Sequence, residues 1–511
     1  MRVSGISVKV FIGLLLAVLI RGTAAFAARD SLVVADDAPV SNLDWYQNPT
    51  RPMANLAYQI WDPLVSRDPD DGSLHPHLAA SWKLVNDTTW EFKLRLGVKF
   101  HNGNPLTAES IRYTIENRVL DPQQKAMARG DFSWVKKIEV IDDLTFRVIA
   151  EKPYPLVLER FNSLFPYDPA WSKEKGDVYL KTHAMGTGPY KVVSFEDGIK
   201  VVLTANENYW QKGIPKIKNL TVRYIPEVST RLAELISGGV DVALRVPPDQ
   251  VEIIQQRKHL KVVSRPILRV YYWQFDAAGR ASQSPLTDVR VRRAIWHAID
   301  RGAIIRNVLG NYADLLDLPM NPKAFGADPS IKVWAYDPDR ARALLKEAGF
   351  EKGFTLDCWI PNDVMYQVSQ AAGGYLEKFN IKLNFKDYRT NLGQMMKILS
   401  SGKLTGIFVM GFGSYGIFDA DGIMPWHFVP SASQAVYADD PKLVQWLLDA
   451  RNSVDPAKRK ELYSRAQQQV IDQAYWLPWF VMHEIQGMHQ DLEYMMGVDE
   501  RSRFQFARWL K

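Results

Sequence analysis

Hydrophobic and polar positions alternate strictly along Trp90-Glu-Phe-Lys-Leu-Arg-Leu96. Trp90, Phe92, Leu94 and Leu96 share one face and Glu91, Lys93 and Arg95 the other, the pattern of a half-buried antiparallel strand. Thr145-Phe-Arg-Val-Ile-Ala150 follows a turn at Asp142-Asp143 and is a candidate partner nearby. Thr107 reads as an N-cap, with Ser110 where a capping box prefers Glu, and the helix it starts runs through Tyr113 to Val119 and stops before Pro122. Asp288 is placed to cap a helix whose Val291, Ala294, Ile295, Ala298 and Ile299 form one stripe. Asp337 to Gly349 makes another helix, with Pro338 in its first turn and Gly349 at its stop. Beyond it come a strand at Phe354–Ile360, a helix through Gln367 to Phe379 and a strand at Ile381–Phe385. The alternation gives an α/β fold, with no internal repeat and no low-complexity tract.

The N-terminus carries an address. Arg2 and Lys9 precede the apolar run Val10–Ile20, and Ala25-Phe-Ala27 supplies a small-x-small cleavage pattern. The run is shorter than the roughly 20 residues a membrane span needs. We expect a cleaved leader over residues 1–27 and a mature, periplasmic protein starting near Ala28, without a lipid anchor because no cysteine follows the run. Cys358 is the only cysteine, so no internal disulfide can form. Stability therefore rests on burial, and 511 residues, 47% of them hydrophobic, are enough for about three structural units. The formal charge of +6 falls to +3 without the three bases of the leader. Acids and bases are interspersed, which argues against nucleic acid as a partner.

Four segments carry a family resemblance. They are Leu78-Ala-Ala-Ser-Trp82 with Thr89 to Ala108, Gly186-Thr-Gly-Pro-Tyr-Lys191 with Asn206-Glu-Asn-Tyr-Trp210, Leu232 to Asp241, and Asp288 to Asp300. In content and order they resemble the dipeptide, oligopeptide and nickel-binding group of ABC-transporter substrate-binding proteins, solute-binding family 5. Read physically, most of these positions are scaffold. Gly186, Gly188 and Pro189 form a tight re-entry into a strand, where glycine permits positive φ. The resemblance implies a periplasmic-binding-protein-like two-lobe clamp (type II, cluster C) with an extra inserted domain. Lobe I would comprise residues 28–60, 181–266 and 481–511, the inserted domain 61–180, and lobe II 267–480. Hinges would lie near Arg269–Trp273 and Pro478–Met482.

Gly411-Phe-Gly-Ser-Tyr-Gly416 is formally GxGxxG, but Asp419, Asp421, Gly422 and Pro425 follow where a dinucleotide site needs a helix. In the family this loop commonly carries a tryptophan and then an aspartate that holds a ligand's ammonium. Phe412 stands at the tryptophan, Asp419 best matches the aspartate and Asp421 is its substitute; alternatively, Asp419 only shapes a turn. Trp273, in Tyr271-Tyr-Trp-Gln-Phe-Asp276, reads as a stacking surface or as core, with Tyr271 and Phe275 facing away. Tyr415 is a further aromatic candidate. The segment Ile360 to Tyr366 lacks the arginine that dipeptide binders tend to have, leaving Arg389 as a distant carboxylate partner.

Enzyme motifs fail on spacing. His483-Glu484 has no second histidine in register for a zinc helix, Ser414 has no glycine two residues before it, and no Walker lysine loop exists. Asp419-Ala-Asp-Gly422 is too short for a calcium loop. The expected protein is a monomeric receptor of an ABC importer without cofactor or metal, binding a peptide or peptide-like solute and docking on an inner-membrane permease. A metal chelate, opine or oligosaccharide is the alternative cargo. A secreted hydrolase or a peptide chaperone is the alternative class.

Overall fold

The computed structural model describes residues 29–510 apart from 282, 414–415 and 431–435. The expected leader, and Tyr415 with it, lie outside the described residues. Strand β1 (Ser31–Asp36) enters the main sheet, and an excursion then supplies β2 (Val65–Arg67), β3 (Leu74–Pro76), β4 (Ala79–Asn86), β5 (Thr89–Leu94), β6 (Val135–Val140) and β7 (Thr145–Ala150). The main sheet resumes with β8 (Tyr190–Glu196), β9 (Lys200–Ala205), β10 (Asn219–Tyr224), β11 (Val242–Ala243) and β12 (Leu260–Phe275). It continues with β13 (Ala313–Leu315), β14 (Phe354–Ile360), β15 (Ile381–Asp387), β16 (Ile407–Phe412) and β17 (Trp476–His489), and a hairpin of β18 (Leu492–Met496) and β19 (Ser502–Trp509) closes the chain.

The strands expected from alternation form. β5 pairs with β7 so that Phe92 lies opposite Phe146, and β4-β5-β7-β6 make a separate sheet. β5 ends at Leu94, which leaves Leu96 82% exposed rather than on the inner face. The helix after Thr107 is α-helical over Ala108–Tyr113 and π-helical over Thr114–Val119, and Ser110 Oγ accepts from the Thr107 amide in the role preferred for Glu. Asp288 and Asp337 cap Val289–Ala298 and Pro338–Glu347 as the sequence requires. Gly186 and Gly188 differ from expectation: neither has positive φ. They are glycine because the chain passes against Ile60, where a Cβ would lie 2.2 and 2.6 Å from the carbonyl oxygen.

The main sheet has eleven strands, ordered β15-β14-β16-β12-β17-β11-β1-β10-β9-β8, with β13 beside β17. β12 and β17, 16 and 14 residues long, are the strands common to both ends of the sheet. Hydrophobic packing divides on either side of them. One core runs from Leu32 through Phe92 and Phe146 to Phe504, so the excursion and the β1 end share an interior. Trp273, Ile295, Cys358 and Trp479 belong to a second core, and Tyr272, Phe408, Met424 and Trp476 to a third. A small cluster of Leu268, Phe418 and Val498 joins the two sides. The β12–β17 register shifts between Pro266, opposite His483, and Val270, opposite Val481. Within the break, Leu268 N donates to Val498 O, and Asn321 Nδ2 donates to the Ile267 and Leu268 carbonyls at 3.1 Å. The result is a two-lobe clamp whose lobes meet at a break in an otherwise continuous ladder.

Candidate functional site: a charged crevice between facing strand ends

Parallel pairing occurs at both ends of the sheet: β1 lies between β10 and β11, and β14 between β15 and β16. Loops beyond the carboxyl ends of such strands form the usual crevice of an open α/β sheet. Here the two sets of ends face one another. Asp37 follows β1, Arg51 opens the helix Arg51–Ile60, and Arg51 Nη2 is 3.4 Å from Asp37 Oδ2. Arg51 Nη1 lies 3.9 Å from Glu500 Oε2, which also accepts from Arg269 Nη2 at 2.9 Å. Against that pair lies Gly413, just past β16; a Cβ there would stand 2.3 Å from Glu500 Oε1.

Lobe I supplies a dense charge array. Arg245, two residues beyond β11, adopts φ 53 and turns its guanidinium onto Asp36 and Asp37. A left-handed backbone at a bulky residue stores about 1–3 kcal/mol and persists where surrounding structure holds it. Glu484 and Gln486 on β17 lie beside it, with Val246 N bonded to Ile485 O. Burial raises the Asp37 and Glu484 carboxyls above their ordinary range and lowers the Arg245 guanidinium.

The candidate charges of lobe II, Asp419, Asp421 and Arg389, are already matched. Asp419, expected to hold an ammonium, is 4% exposed and accepts from Arg459 Nη2 at 2.8 Å through both oxygens. Its Oδ1 also caps Asp421 N at 2.9 Å, and burial pushes its carboxyl up to about 7. Asp421 accepts from Arg451 Nε at 2.9 Å. In this structure both aspartates, expected to hold an ammonium, fasten their loop to the helices Pro441–Arg451 and Pro456–Asp472. Arg389 is exposed beyond β15, stacked on Tyr366 and bonded to Asp387 and Asp363. The Trp273 side chain is fully buried, edge-on to Trp479, with Nε1 donating to Ser369 Oγ at 3.2 Å. The period of two sets Tyr271, Trp273 and Phe275 on one face, and all three belong to one core. Phe412 stands at a crevice edge, half-buried at the carboxyl end of β16 and 5.6 Å from the Trp426 ring.

The loop after β16 is also gripped by the excursion. Arg67, paired with Glu159, donates to Gly416 O at 2.8 Å and lies 4.2 Å from the Phe418 ring centroid. Glu159 Oε2 accepts the Phe418 amide at 3.0 Å, and a Cβ on Gly72 would strike that ring at 2.6 Å. Sequence reasoning missed Arg51, Arg245, Arg269, Glu484 and Glu500. One signal was present: Glu484 interrupts the apolar strand Trp476–His489, where a carboxylate has no reason to be unless it is used. Among the described residues, no three metal-ligating side chains are gathered and no helix is long and apolar enough to cross a membrane.

A family model described as bacterial extracellular solute-binding proteins, family 5, middle region, matches residues 73–434. The glutathione-binding protein GsiB of Pectobacterium atrosepticum is 26% identical over 466 residues, covering 88% of each chain. Among solved structures, the dipeptide-binding protein of Pseudoalteromonas sp. SM9913 in complex with Met-Leu superposes with TM-score 0.78 at 22% identity, over 94% of this chain and 100% of that one. The substrate-binding protein CtaP of Listeria monocytogenes gives TM-score 0.85 at 20% identity, over 95% and 100%.

Proposed function

The chain belongs to the bacterial extracellular solute-binding proteins of family 5, receptors of ABC importers and not enzymes, and from that premise we propose that its cargo is a peptide or peptide-like amphoteric solute. The observation that carries this reading is the crevice itself, where arginines and carboxylates stand together between two lobes that share no major core. A solute with both charges meets a partner for each, and enclosure between the lobes strengthens each contact. The relatives named for glutathione and for a dipeptide fit the same chemistry.

In this reading residues 1–27 are a secretory leader and the protein acts as a monomer in the periplasm. Residues 28–60, 181–266 and 481–511 form lobe I, 61–180 the inserted domain and 267–480 lobe II. The pivot is the register break at residues 266–270 facing 481–483. Phe412 contributes an aromatic wall. Solute shifts the clamp toward closure only by its preference for the closed form, and the closed form docks on the permease. The test is calorimetry with glutathione, free dipeptides and opines, paired with small-angle scattering. Saturable binding with compaction is expected. Hydrolysis products in the cell, or heat with no change of shape, would defeat the proposal.

A further inference from the structure

Among the charged side chains of the crevice, Glu484 is the one the protein does not pair. It is 6% exposed, yet among the described residues no cation lies within ion-pair distance of it. Among the described residues its carboxylate has one hydrogen bond, a 3.3 Å contact from Gln486 Nε2, whose own Oε1 is buried without a donor. The cation opposite it in the ladder turns away: Arg265, in register with Glu484, gives Nη1 to Met496 O and Nη2 to Asp70 Oδ1, both at 2.8 Å. Arg245 is held by Asp36 and Asp37, with its buried Nε lacking an acceptor. Arg245 and Arg51 act on Glu484 only through space, and a desolvated carboxylate with no cation in contact is costly for a fold to keep. Such groups concentrate where a ligand or a reaction supplies what is missing.

We propose that Glu484 is the subsite for the ammonium group of the solute, so that the amine is read by the crossing strand β17 of lobe I and not by the loop after β16. This assignment rests on the reading of the crevice as the capture site. Arg51, whose charge acts on Glu484, and Asp37 and Arg269 of the same crevice are each a quarter to a third exposed. Because β17 belongs to the lobe I side at this point, a solute meets Glu484 before the clamp shuts.

The probes are glutathione and a free dipeptide, each compared with its N-acetylated form by calorimetry against the wild-type protein and Glu484→Gln. Wild-type protein should lose about tenfold or more in affinity when the amine is acetylated. Glu484→Gln should bind the free probe as weakly as the wild type binds the blocked one, and should no longer distinguish the two forms. Its unfolding midpoint should hold or rise, since an unpaired buried charge is removed. Should that variant fail to fold, Glu484→Asp withdraws the carboxylate by one methylene and should blunt the discrimination. Amine discrimination that is undiminished in either variant, or wild-type binding indifferent to acetylation, overturns the inference and leaves the receptor reading standing. No binding of any probe by the wild-type protein overturns both.

Discussion

The two strand edges that face across the crevice have similar composition and opposite bookkeeping of charge. Lobe II presents Asp419, Asp421 and Arg389, each matched by a neighbour of the same lobe within 3 Å. Lobe I presents Arg245, Arg51 and Glu500 in a chain of shared contacts, and Glu484 outside any ion pair. Charge that is satisfied at home fixes a loop, whereas charge left over is free to recognise something else. A residue's type and its nearness to the crevice do not separate the two cases; its partners do.

The largest effect that would break this contrast is in stability. Asp419→Ala strands Arg459 in the interior, and urea unfolding should show a loss of about 3–5 kcal/mol while solute affinity hardly changes. A specific loss of affinity with unchanged stability would place Asp419 at the ligand after all. Next in size is Gly413→Val, which drives methyls into Glu500 and Arg269. Overpacking there should disfavour closure by about 1–3 kcal/mol, weaken binding roughly tenfold or more, and leave liganded protein less compact in scattering.

Phe418→Ala should act more gently. It removes the ring that joins Leu268 and Val498 and receives Arg67, and about 1–2 kcal/mol of closed-state preference should go with it. The same shift should appear without solute, as a larger radius of gyration. The smallest effect is in pH. Burial holds the Glu484 carboxyl above 4.5, so the unliganded fold binds its proton more tightly than the unfolded chain does. From this group alone, stability is greatest at acid pH and declines as pH rises through the raised value. Affinity for an amine should run the other way, falling as acidification neutralises Glu484, with proton release on binding wherever the unliganded carboxyl is partly protonated. Calorimetry in buffers of different ionisation enthalpy reads both signs.

Much of the architecture was legible because period and punctuation are local. The Trp90 strand, the Asp288 and Asp337 caps and the α/β alternation after Gly349 each follow from a few adjacent residues. The order of the four family segments led to the two-lobe clamp. The site was not legible in the same way. Asp419 looks available until Arg459, forty residues on, is seen to hold it, and Glu484 looks ordinary until Arg265 is seen to turn aside. Trp273 could have been read correctly from alternation alone, since it must share a face with Tyr271 and Phe275.

The break between β12 and β17 has a consequence for how such a clamp swings. Its carbonyls at Ile267 and Leu268 are held by the side-chain amide of Asn321, and its Leu268 amide by Val498, so these three groups keep partners where the ladder is interrupted. Rotation there can proceed without melting the strands on either side. Amide exchange in Val270–Phe275 and in Trp476–Val481 should therefore be as slow in the gaping protein as in the shut one. Exchange that quickens on loading or emptying belongs to the loops after β1, β11 and β16, the parts that part company.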